Sequence, residues 1–406
     1  MRIGKWMSQR RISRSSKLSV GWFTLFIVGS DLFVVSPLLP SIAVDYRVAP
    51  ATAGLSVTLF AVTYMLSAPL LGHLADRVGR RSVLACALCA FAAGNLATAV
   101  AADFTWLLAA RSLSGAAAAG ISPSVYALIT AGAPSDRRGT WLAIAVSGLM
   151  VSLSLGAPLG LLAATAFGWR AVFAGLGILS LVLISANLRV WCEVHQVRGW
   201  LVTTNRPTAV SAVPPLFLTV VWSTAVYGVY TYLGEGLTAS GYSAAEIAEV
   251  ILLYGGGAIS GALVGGRMAD HYGARLTIAV ALAALSFGFL LLRLAIYAGM
   301  PIGYLFGILS FAAQLFFPAQ QLRIASKFPA HRATLLAWNN SALFMGIFLG
   351  SLVGGAAISL GGFGANLMVS AAIVSAGWVI HRIAALHGAY TSVTRLRRRP
   401  GTEGAR

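Results

Sequence analysis

Long apolar runs separated by short polar connectors extend along almost the whole chain. Each run holds roughly 20 residues, which is the length of helix needed to cross a hydrocarbon core of ~30 Å. Backbone groups in hydrocarbon must pair internally, so a spanning segment is either a helix or part of a closed barrel. Barrel strands would show short segments of alternating polarity, whereas these runs are long and continuous. The pattern therefore predicts an all-α integral membrane protein.

The runs predict twelve transmembrane helices, six in each half of the chain. The predicted spans are, approximately, 18–43, 52–72, 82–101, 105–130, 140–164, 168–190, 214–235, 246–266, 276–297, 302–326, 333–358 and 364–386. They form two six-helix bundles, 18–190 and 214–386, joined by a cytoplasmic linker at 191–213 and flanked by basic tails at 1–17 and 387–406. Two pseudo-symmetric bundles in one chain are typical of secondary transporters, which bind substrate near the membrane midplane.

A ten-residue charged pattern occurs once in each half. It reads GHLADRVGRR at 72–81 and, 194 residues later, GRMADHYGAR at 266–275. Asp76 stands among arginines and can pair with one of them, or with the positive N-terminus of a neighbouring helix. Such a contact would hold one conformational state and release in another. A solvated basic loop is the simpler interpretation, and the repetition of the whole pattern argues against it. The predicted conformational gate comprises Gly72, Asp76, Arg77, Gly79, Arg80, Arg81, Asp270 and Arg275, with Gly72 and Gly79 permitting a tight turn.

Composition and charge placement agree with a membrane location. The chain is 58% hydrophobic and 10% charged, with a mean hydropathy of +0.81, which leaves too little polar surface for a soluble protein. Its net charge of +18 would suit nucleic-acid binding. However, all 29 Lys and Arg lie in predicted inner connectors, inner helix ends or tails except Arg47, Arg111, Arg170 and Arg293. This asymmetry predicts that both termini are cytoplasmic and that the basic charge meets anionic lipids rather than nucleic acid.

The sequence predicts no metal, no cofactor and no enzymatic activity. Cys86 and Cys89 have the spacing of a redox or zinc pair, but they lie in an apolar span without a second pair, which favours small apolar filler. The six His fall near the inner face without metal-ligand context. No phosphate-binding loop of the GxxxxGK type is present, which argues against ATP-driven transport. No catalytic cluster is evident at either membrane face.

Two opposite charges are predicted to lie at the same depth inside the first bundle. Asp31 is ~20 Å from the inner end of the first span, and Arg111 is ~9 Å below the outer end of the fourth. Burial disfavours the charged form of a carboxyl group and a nearby cation favours it. We therefore expect Asp31 and Arg111 to face one cavity and to pair or compete, with Asp31 carrying a coupling proton. A static ion pair is the alternative.

The pattern at 72–81 resembles the signature between helices 2 and 3 of the major facilitator superfamily, and the arrangement of six plus six helices matches it over 18–386. The second copy departs from the signature at His271 and Ala274. The resemblance implies the major facilitator fold.

Further motifs resemble those of the twelve-helix drug:proton antiporters. Gly156-x-Pro158-x-Gly160 is similar to the helix 5 signature of antiporters, and Arg111-x-x-x-Gly115 is similar to a helix 4 motif implicated in proton coupling. Other matches are Asp31 with Pro37 and Pro40, and Trp169-Arg170-x-x-Phe173. Tyr230-Thr231-Tyr232 and Asn339-Asn340 look like the branch that exports arabinose, purines and chloramphenicol.

Polar and aromatic residues at mid-depth are candidates for lining a substrate cavity. They are Tyr64, Asn95, Tyr126, Tyr227, Tyr230, Tyr232, Glu235, Gln314, Asn339 and Asn340. The alternative is that the aromatic residues anchor helices at the membrane interfaces and that the Glu235 side chain reaches the outer interface. This mixture suits small amphipathic or uncharged molecules.

The sequence thus predicts a proton-coupled antiporter that exports small organic molecules such as drugs, sugars or nucleosides by alternating access. It is expected to act as a monomer in the bacterial inner membrane, with a small-molecule substrate, protons and membrane lipids as partners. A symporter or uniporter for sugars or nucleosides is the alternative among transporters. A non-transporting membrane sensor is the alternative from another class.

Overall fold

The structure is a computed structural model that describes residues 14–134, 138–191, 209–298, 300, 302–328 and 332–397. Within these ranges it is helical and contains no strand. The elements are α1 (Arg14–Tyr46), α2 (Pro50–Ala53), α3 (Leu55–Val78), α4 (Arg80–Ala99), α5 (Phe104–Gly132), α6 (Arg138–Val151), a π-helical segment (Ser152–Gly156), α7 (Ala157–Phe167), α8 (Trp169–Val190), α9 (Ala209–Thr231), α10 (Leu233–Ala239), α11 (Ala244–Tyr272), α12 (Ala274–Tyr297), α13 (Gly303–Gln314), α14 (Phe316–Lys327) and α15 (Arg332–Arg397).

These elements make up the predicted spans. Eleven stretches of the described chain are long and apolar enough to cross a membrane. The last of them, Trp338–Ile383, has 46 residues, more than twice the roughly 20 that one crossing needs. Non-helical backbone at Gly361 and Gly362 divides α15 into two helices at that point. Because α15 then supplies two of the spans, the described chain contains the twelve that were predicted, and the predicted fold class, an all-α membrane protein, is confirmed.

Several helix ends differ from the predicted ends of the spans. α1 begins at Arg14 instead of residue 18, and α15 continues to Arg397, beyond the predicted end at 386. Hydropathy marks where the chain leaves hydrocarbon, whereas a helix ends where Gly, Pro or a cap interrupts its hydrogen bonds. Most of the predicted linker and the outer parts of both predicted tails lie outside the described residues.

The helices pack into two compact units. Unit 1 contains the described residues of Met1–Val34 and Thr63–Leu201, and unit 2 contains those of Val35–Val62 and Val202–Arg406. The C-terminal part of α1, all of α2 and the start of α3 are therefore grouped with the second half of the chain. The predicted bundle limits, 18–190 and 214–386, stay a prediction.

Small residues allow close helix packing in unit 1. A Cβ atom at Gly94 of α4 would lie 2.5 Å from the Ser114 hydroxyl of α5. A Cβ at Gly148 of α6 would overlap the backbone of Trp22 in α1. Such contacts contribute van der Waals attraction where lipid supplies no hydrophobic drive between helices.

In unit 2, α9 packs along α15 through glycines, since a Cβ at Gly350 would lie 2.8 Å from the backbone nitrogen of Gly228. Hydrogen bonds attach the Val35–Val62 segment to the same pair of helices. Ser351 of α15 donates to the carbonyl of Gly54 (2.8 Å) and accepts from the Thr58 hydroxyl (2.9 Å). Ser36 donates to the carbonyl of Tyr230.

Candidate functional site

A buried ion pair lies in the core of unit 1. Arg111 Nη1 of α5 donates to Asp31 Oδ1 of α1 at 2.6 Å, and both side chains are almost fully excluded from solvent. The Arg111 guanidinium carbon lies 5.4 Å from the centre of the Phe173 ring in α8, a cation–π distance. Asp31 and Arg111, which were expected to face each other from their depths in the membrane, are therefore in direct contact. Phe173 was noted only as part of a motif, and nothing in its spacing marked it as a partner of Arg111.

Several other buried polar atoms in unit 1 lack a hydrogen-bond partner among the described residues. They include Asp31 Oδ2, Asn95 Oδ1, Ser114 Oγ and Ser154 Oγ. The side-chain amide nitrogen of Asn95 donates to the carbonyl of Phe91 (3.0 Å), and the side-chain oxygen remains able to accept a hydrogen bond. Unpaired buried polar atoms are costly and uncommon, and they often mark functional places. Ser114 and Ser154 were not predicted, because serine is common in membrane helices and carries no depth signal of its own.

The Gly156-x-Pro158-x-Gly160 motif packs against the same helix as Asp31. Its first glycine closes the π-helical segment, and Pro158, which lacks an N–H, begins the next helix. A Cβ at Gly156 would overlap the hydroxyl of Ser30, and a Cβ at Gly160 would overlap the side chain of Val34. π-helical turns are frequent at functional sites. The two glycines thus allow the π-helical segment and α7 to approach α1 closely at Ser30 and Val34, the residues that flank Asp31.

The two charged repeats share one backbone conformation. Gly79 precedes α4 with φ 105° and ψ 141°, and Gly273 precedes α12 with φ 87° and ψ 144°. These angles favour glycine strongly, because a side chain would clash there. Gly72 instead lies within α3 with open space around its Cβ position, so the turn itself requires only Gly79.

One charge of the predicted gate contacts a neighbouring helix. Arg81 Nη2 donates to the carbonyl of Leu188 in α8 at 2.6 Å. Arg77, Asp270 and Arg275 are exposed, and Arg80 is half-buried. The side chain of Asp76 lies outside what the structure describes. The gating role of this set stays a prediction.

An aromatic cluster occupies the interior of unit 2. The ring centres of Tyr227 and Tyr230 in α9 are 6.5 Å apart, and Tyr230 lies 5.3 Å from Tyr254 of α11. Trp222 of α9 lies 6.4 Å from Tyr227 and stacks on Phe316 of α14 at 5.0 Å. Two of the predicted cavity residues are therefore neighbours. Tyr254 and Trp222 were missed, since neither falls in a recognised motif.

The remaining cavity candidates of unit 2 are dispersed. Tyr232 turns away from the cluster and donates to the carbonyl of Ser351 at 2.8 Å. Asn339 is buried and accepts from the Thr219 hydroxyl at 2.6 Å, and Gln320, which was not predicted, donates to the same hydroxyl at 3.2 Å. Gln314 ends α13 and is buried, while Asn340 is half-buried in α15.

Glu235 is half-buried in α10, outside the stretch that could cross a membrane. Partial burial raises the pKa of its carboxyl group above the ordinary value. In unit 1, Tyr64 is buried in α3, and Tyr126 of α5 lies within its electrostatic range.

A groove of about 390 Å³ lies between α3, α4 and α5 in unit 1. It is lined mainly by aliphatic side chains such as Leu70, Leu74 and Val83, and none of the predicted cavity residues lines it. The groove therefore does not correspond to the mixed polar and aromatic cavity that the sequence predicts.

Comparisons with known proteins agree with this fold and these motifs. The sequence profile described as Major Facilitator Superfamily matches residues 21–234 and 215–403. The chain belongs to the major facilitator superfamily. It is thus a multi-pass membrane protein of a transporter family, as the motif at 72–81 implied.

Relatives in the superfamily include a chloramphenicol resistance protein of Streptomyces lividans, 30% identical over 355 residues that cover 84% of this chain and 88% of that protein. The uncharacterized MFS-type transporter YtbD of Bacillus subtilis (strain 168) is 29% identical over 385 residues, covering 87% and 92%.

Crystal structures with the same fold include a bacterial homolog of the human lysosomal transporter Spinster, in an inward-facing and occupied conformation. Its TM-score is 0.77 at 16% identity, covering 92% of this chain and 97% of that one. The D-xylose–proton symporter has a TM-score of 0.73 at 17% identity, covering 89% and 97%. At these identities the likeness shows the fold alone.

Proposed function

We propose that this chain is a proton-coupled antiporter that exports small, uncharged or amphipathic organic molecules from the bacterial cytoplasm by alternating access. The observation that carries the proposal is the buried Asp31–Arg111 pair, flanked by the Gly156-x-Pro158-x-Gly160 motif. Bacterial relatives and the placement of basic residues support an inner-membrane location with both termini in the cytoplasm. As in other members of the superfamily, one chain supplies the whole pathway, so a monomer suffices.

The chemistry follows from the cost of charge in hydrocarbon. An ionised Asp31 and a cationic Arg111 stabilise each other, and each would be expensive to bury alone. Protonating Asp31 removes the charge that holds the guanidinium in place, so the two helices are free to rearrange. A carboxyl group that takes a proton in one state and releases it in another couples proton flow to that rearrangement.

Unit 2 supplies the groups best suited to recognise a substrate. The rings of Tyr227, Tyr230 and Tyr254 offer flat apolar faces with hydroxyl groups at their edges, whereas the N–H of the neighbouring Trp222 already donates to the carbonyl of Ala313 at 2.9 Å. Such a surface suits a ring-containing neutral molecule, and the chloramphenicol resistance relative points to the same class. We propose Tyr227 and Tyr230 as substrate-contacting residues.

Proton flux in proteoliposomes tests the proposal. Addition of chloramphenicol, arabinose, a purine nucleoside or a lipophilic cation should produce a compound-dependent proton flux in wild type, opposite in direction to the movement of the compound. Asp31→Asn, which keeps the shape of the side chain and loses its charge, should abolish this flux while compound binding remains. Asp45→Asn is the matched control, because Asp45 is exposed in the same helix.

Unchanged proton flux in Asp31→Asn would remove Asp31 from the coupling mechanism. Movement of proton and compound in the same direction would identify a symporter and overturn the antiport proposal, whatever the result for Asp31.

A further inference from the structure

Five basic side chains from three separate elements gather at one end of unit 2. Arg275 begins α12, Arg323 and Lys327 lie one turn apart at the end of α14, and His381 and Arg382 lie in the second part of α15. Arg323 and Arg275 lie within electrostatic range of Lys327, and Arg382 lies within range of His381. The cluster is therefore assembled by the tertiary fold, and no part of the sequence alone displays it.

His381 holds the cluster together. Its side chain is 4% exposed, with Nε2 3.0 Å from the carbonyl oxygen of Arg275 and Nδ1 3.4 Å from Arg323 Nη1. A carbonyl oxygen can only accept, so Nε2 carries the hydrogen and Nδ1 accepts from the guanidinium. The neutral imidazole thus joins the start of α12 to the end of α14.

No carboxylate of the described chain forms an ion pair with Arg275, Arg323, Lys327 or Arg382. Arg323 is half-buried, so water screens its charge only in part. Partial burial, followed by the charges of Arg323 and Arg275, lowers the pKa of the Lys327 amine below its ordinary value. Like charges held at fixed positions repel unless an anion from outside the chain neutralises them.

The cluster lies at the level of a lipid headgroup. The span that contains α14 ends at Ile324, so Arg323 is at the edge of the apolar stretch and Lys327 is just beyond it. Aromatic rings accompany the charges, with Arg382 5.9 Å from the ring of Trp378 and Lys327 5.2 Å from that of Phe328. Aromatic and basic residues together are typical of the membrane–water interface, where basic pockets between helices bind anionic headgroups.

We propose that Arg275, Arg323 and Lys327 form a binding site for the phosphate of an anionic phospholipid in the cytoplasmic leaflet, with His381 as the residue that positions the two arginines. The guanidinium groups of Arg275 and Arg323 can each donate two parallel hydrogen bonds to phosphate oxygens. The Lys327 ammonium group attracts the phosphate as a point charge and requires no particular orientation. This site is separate from the Asp31–Arg111 pair and does not depend on the transported compound.

Lipid binding to the purified full-length chain tests the site. Short-chain phosphatidylglycerol should bind and raise the thermal unfolding midpoint in detergent, whereas phosphatidylcholine should not. Arg275→Gln and Arg323→Gln should each weaken phosphatidylglycerol binding about fivefold, the effect of one basic residue at a membrane surface. Arg293→Gln is the control, because Arg293 is exposed at the opposite end of α12 and should leave binding unchanged.

His381 requires its own pair of variants. His381→Gln can still donate to the Arg275 carbonyl and accept from Arg323, so it should keep binding near the wild-type level. His381→Leu cannot, and it should weaken phosphatidylglycerol binding as much as loss of one arginine. The unfolding midpoint without lipid separates this effect from general destabilisation, since a purely structural histidine would change that midpoint and leave the preference for phosphatidylglycerol intact.

Three outcomes would overturn the proposal. Equal binding of phosphatidylcholine would show that the site does not recognise headgroup charge. Protection by inorganic phosphate as strong as that by phosphatidylglycerol would identify a site for a free anion instead of a lipid. Unchanged phosphatidylglycerol affinity in both Arg275→Gln and Arg323→Gln would show that the lipid binds elsewhere.

Discussion

At the residue scale, Arg111 combines two contacts that no other cation could make at once. Its guanidinium donates to Asp31 at 2.6 Å and lies 5.4 Å from the Phe173 ring. A planar guanidinium can stack on a ring while its edge meets a carboxylate, whereas an ammonium is a compact point charge. The residue type at position 111 is thus constrained by geometry as well as by charge.

We predict that Arg111→Lys lowers the rate of proton-linked transport by roughly 5- to 30-fold, because loss of the cation–π contact and of the fixed hydrogen bond costs ~1–2 kcal/mol. The initial rate of compound-driven proton flux in proteoliposomes measures the effect. Arg293→Lys, at an exposed position of α12, serves as the control. A wild-type rate in Arg111→Lys would mean that charge alone suffices at this position.

The pairing of Asp31 and Arg111 could be predicted because helix rise converts sequence position into depth, and a charge inside hydrocarbon needs a partner. The same logic could not find Phe173 or Tyr254, since aromatic residues occur throughout membrane helices. Nor could it find Gln320, whose hydrogen bond to Thr219 joins residues 101 positions apart. The depth of a residue in the membrane can be counted along the sequence. The neighbour that its side chain meets depends on how each helix is oriented about its own axis when the helices pack, and the sequence does not show that orientation.

At the element scale, the two charged repeats turn at equivalent glycines. Gly79 and Gly273 both have a positive φ, whereas Gly72 and Gly266 lie in helices with nothing near their Cβ positions. The four glycines occupy matching places in the two ten-residue patterns and have two different structural roles.

We predict that Gly79→Ala and Gly273→Ala each destabilise the protein by roughly 1–3 kcal/mol, the cost of placing a side chain in that backbone region. Gly72→Ala and Gly266→Ala should instead be neutral or stabilise it by about 0.5–1 kcal/mol, because alanine is the better helix former. Thermal unfolding in detergent compares the four variants directly. Equal destabilisation by all four would show that the backbone angles are not what these positions require.

The existence and order of the spans could be predicted from the lengths of the apolar runs. The breaks inside spans could not, except where proline gives a signal. Pro158 follows the π-helical segment, and Pro50 begins α2. The interruption between α13 and α14 at Leu315 also has such a signal, because Pro318 in the first turn of α14 lacks the N–H that would bond to the carbonyl of Gln314.

At the scale of the whole molecule, the Val35–Val62 segment packs as part of unit 2, although it comes from the first third of the chain. The hydrogen bonds that attach it involve the hydroxyls of Thr58 and Ser351 and the carbonyl of Gly54, which join residues nearly 300 positions apart. Small polar side chains and backbone atoms leave no pattern in a single sequence, so this attachment could not be foreseen.

We predict that a disulfide between Thr58→Cys and Ser351→Cys stops transport, because the proposed alternating-access cycle would separate the Val35–Val62 segment from α15 in one of its states. The two hydroxyls are 2.9 Å apart, so the introduced thiols should oxidise readily in a background where Cys86, Cys89 and Cys192 are replaced by alanine. Transport in proteoliposomes should fall on oxidation and return on reduction. Each single-cysteine variant is the control, and full activity of the oxidised pair would show that the segment stays attached throughout the cycle.

The turn at Gly361–Gly362 has a mechanical consequence. Only these two residues depart from helical angles between the two spans of α15, so the connection contains no spare chain. Two helices joined by a turn of two residues have little freedom to move independently. We therefore expect a displacement of the span that carries Ser351 to displace the span that carries His381 as well.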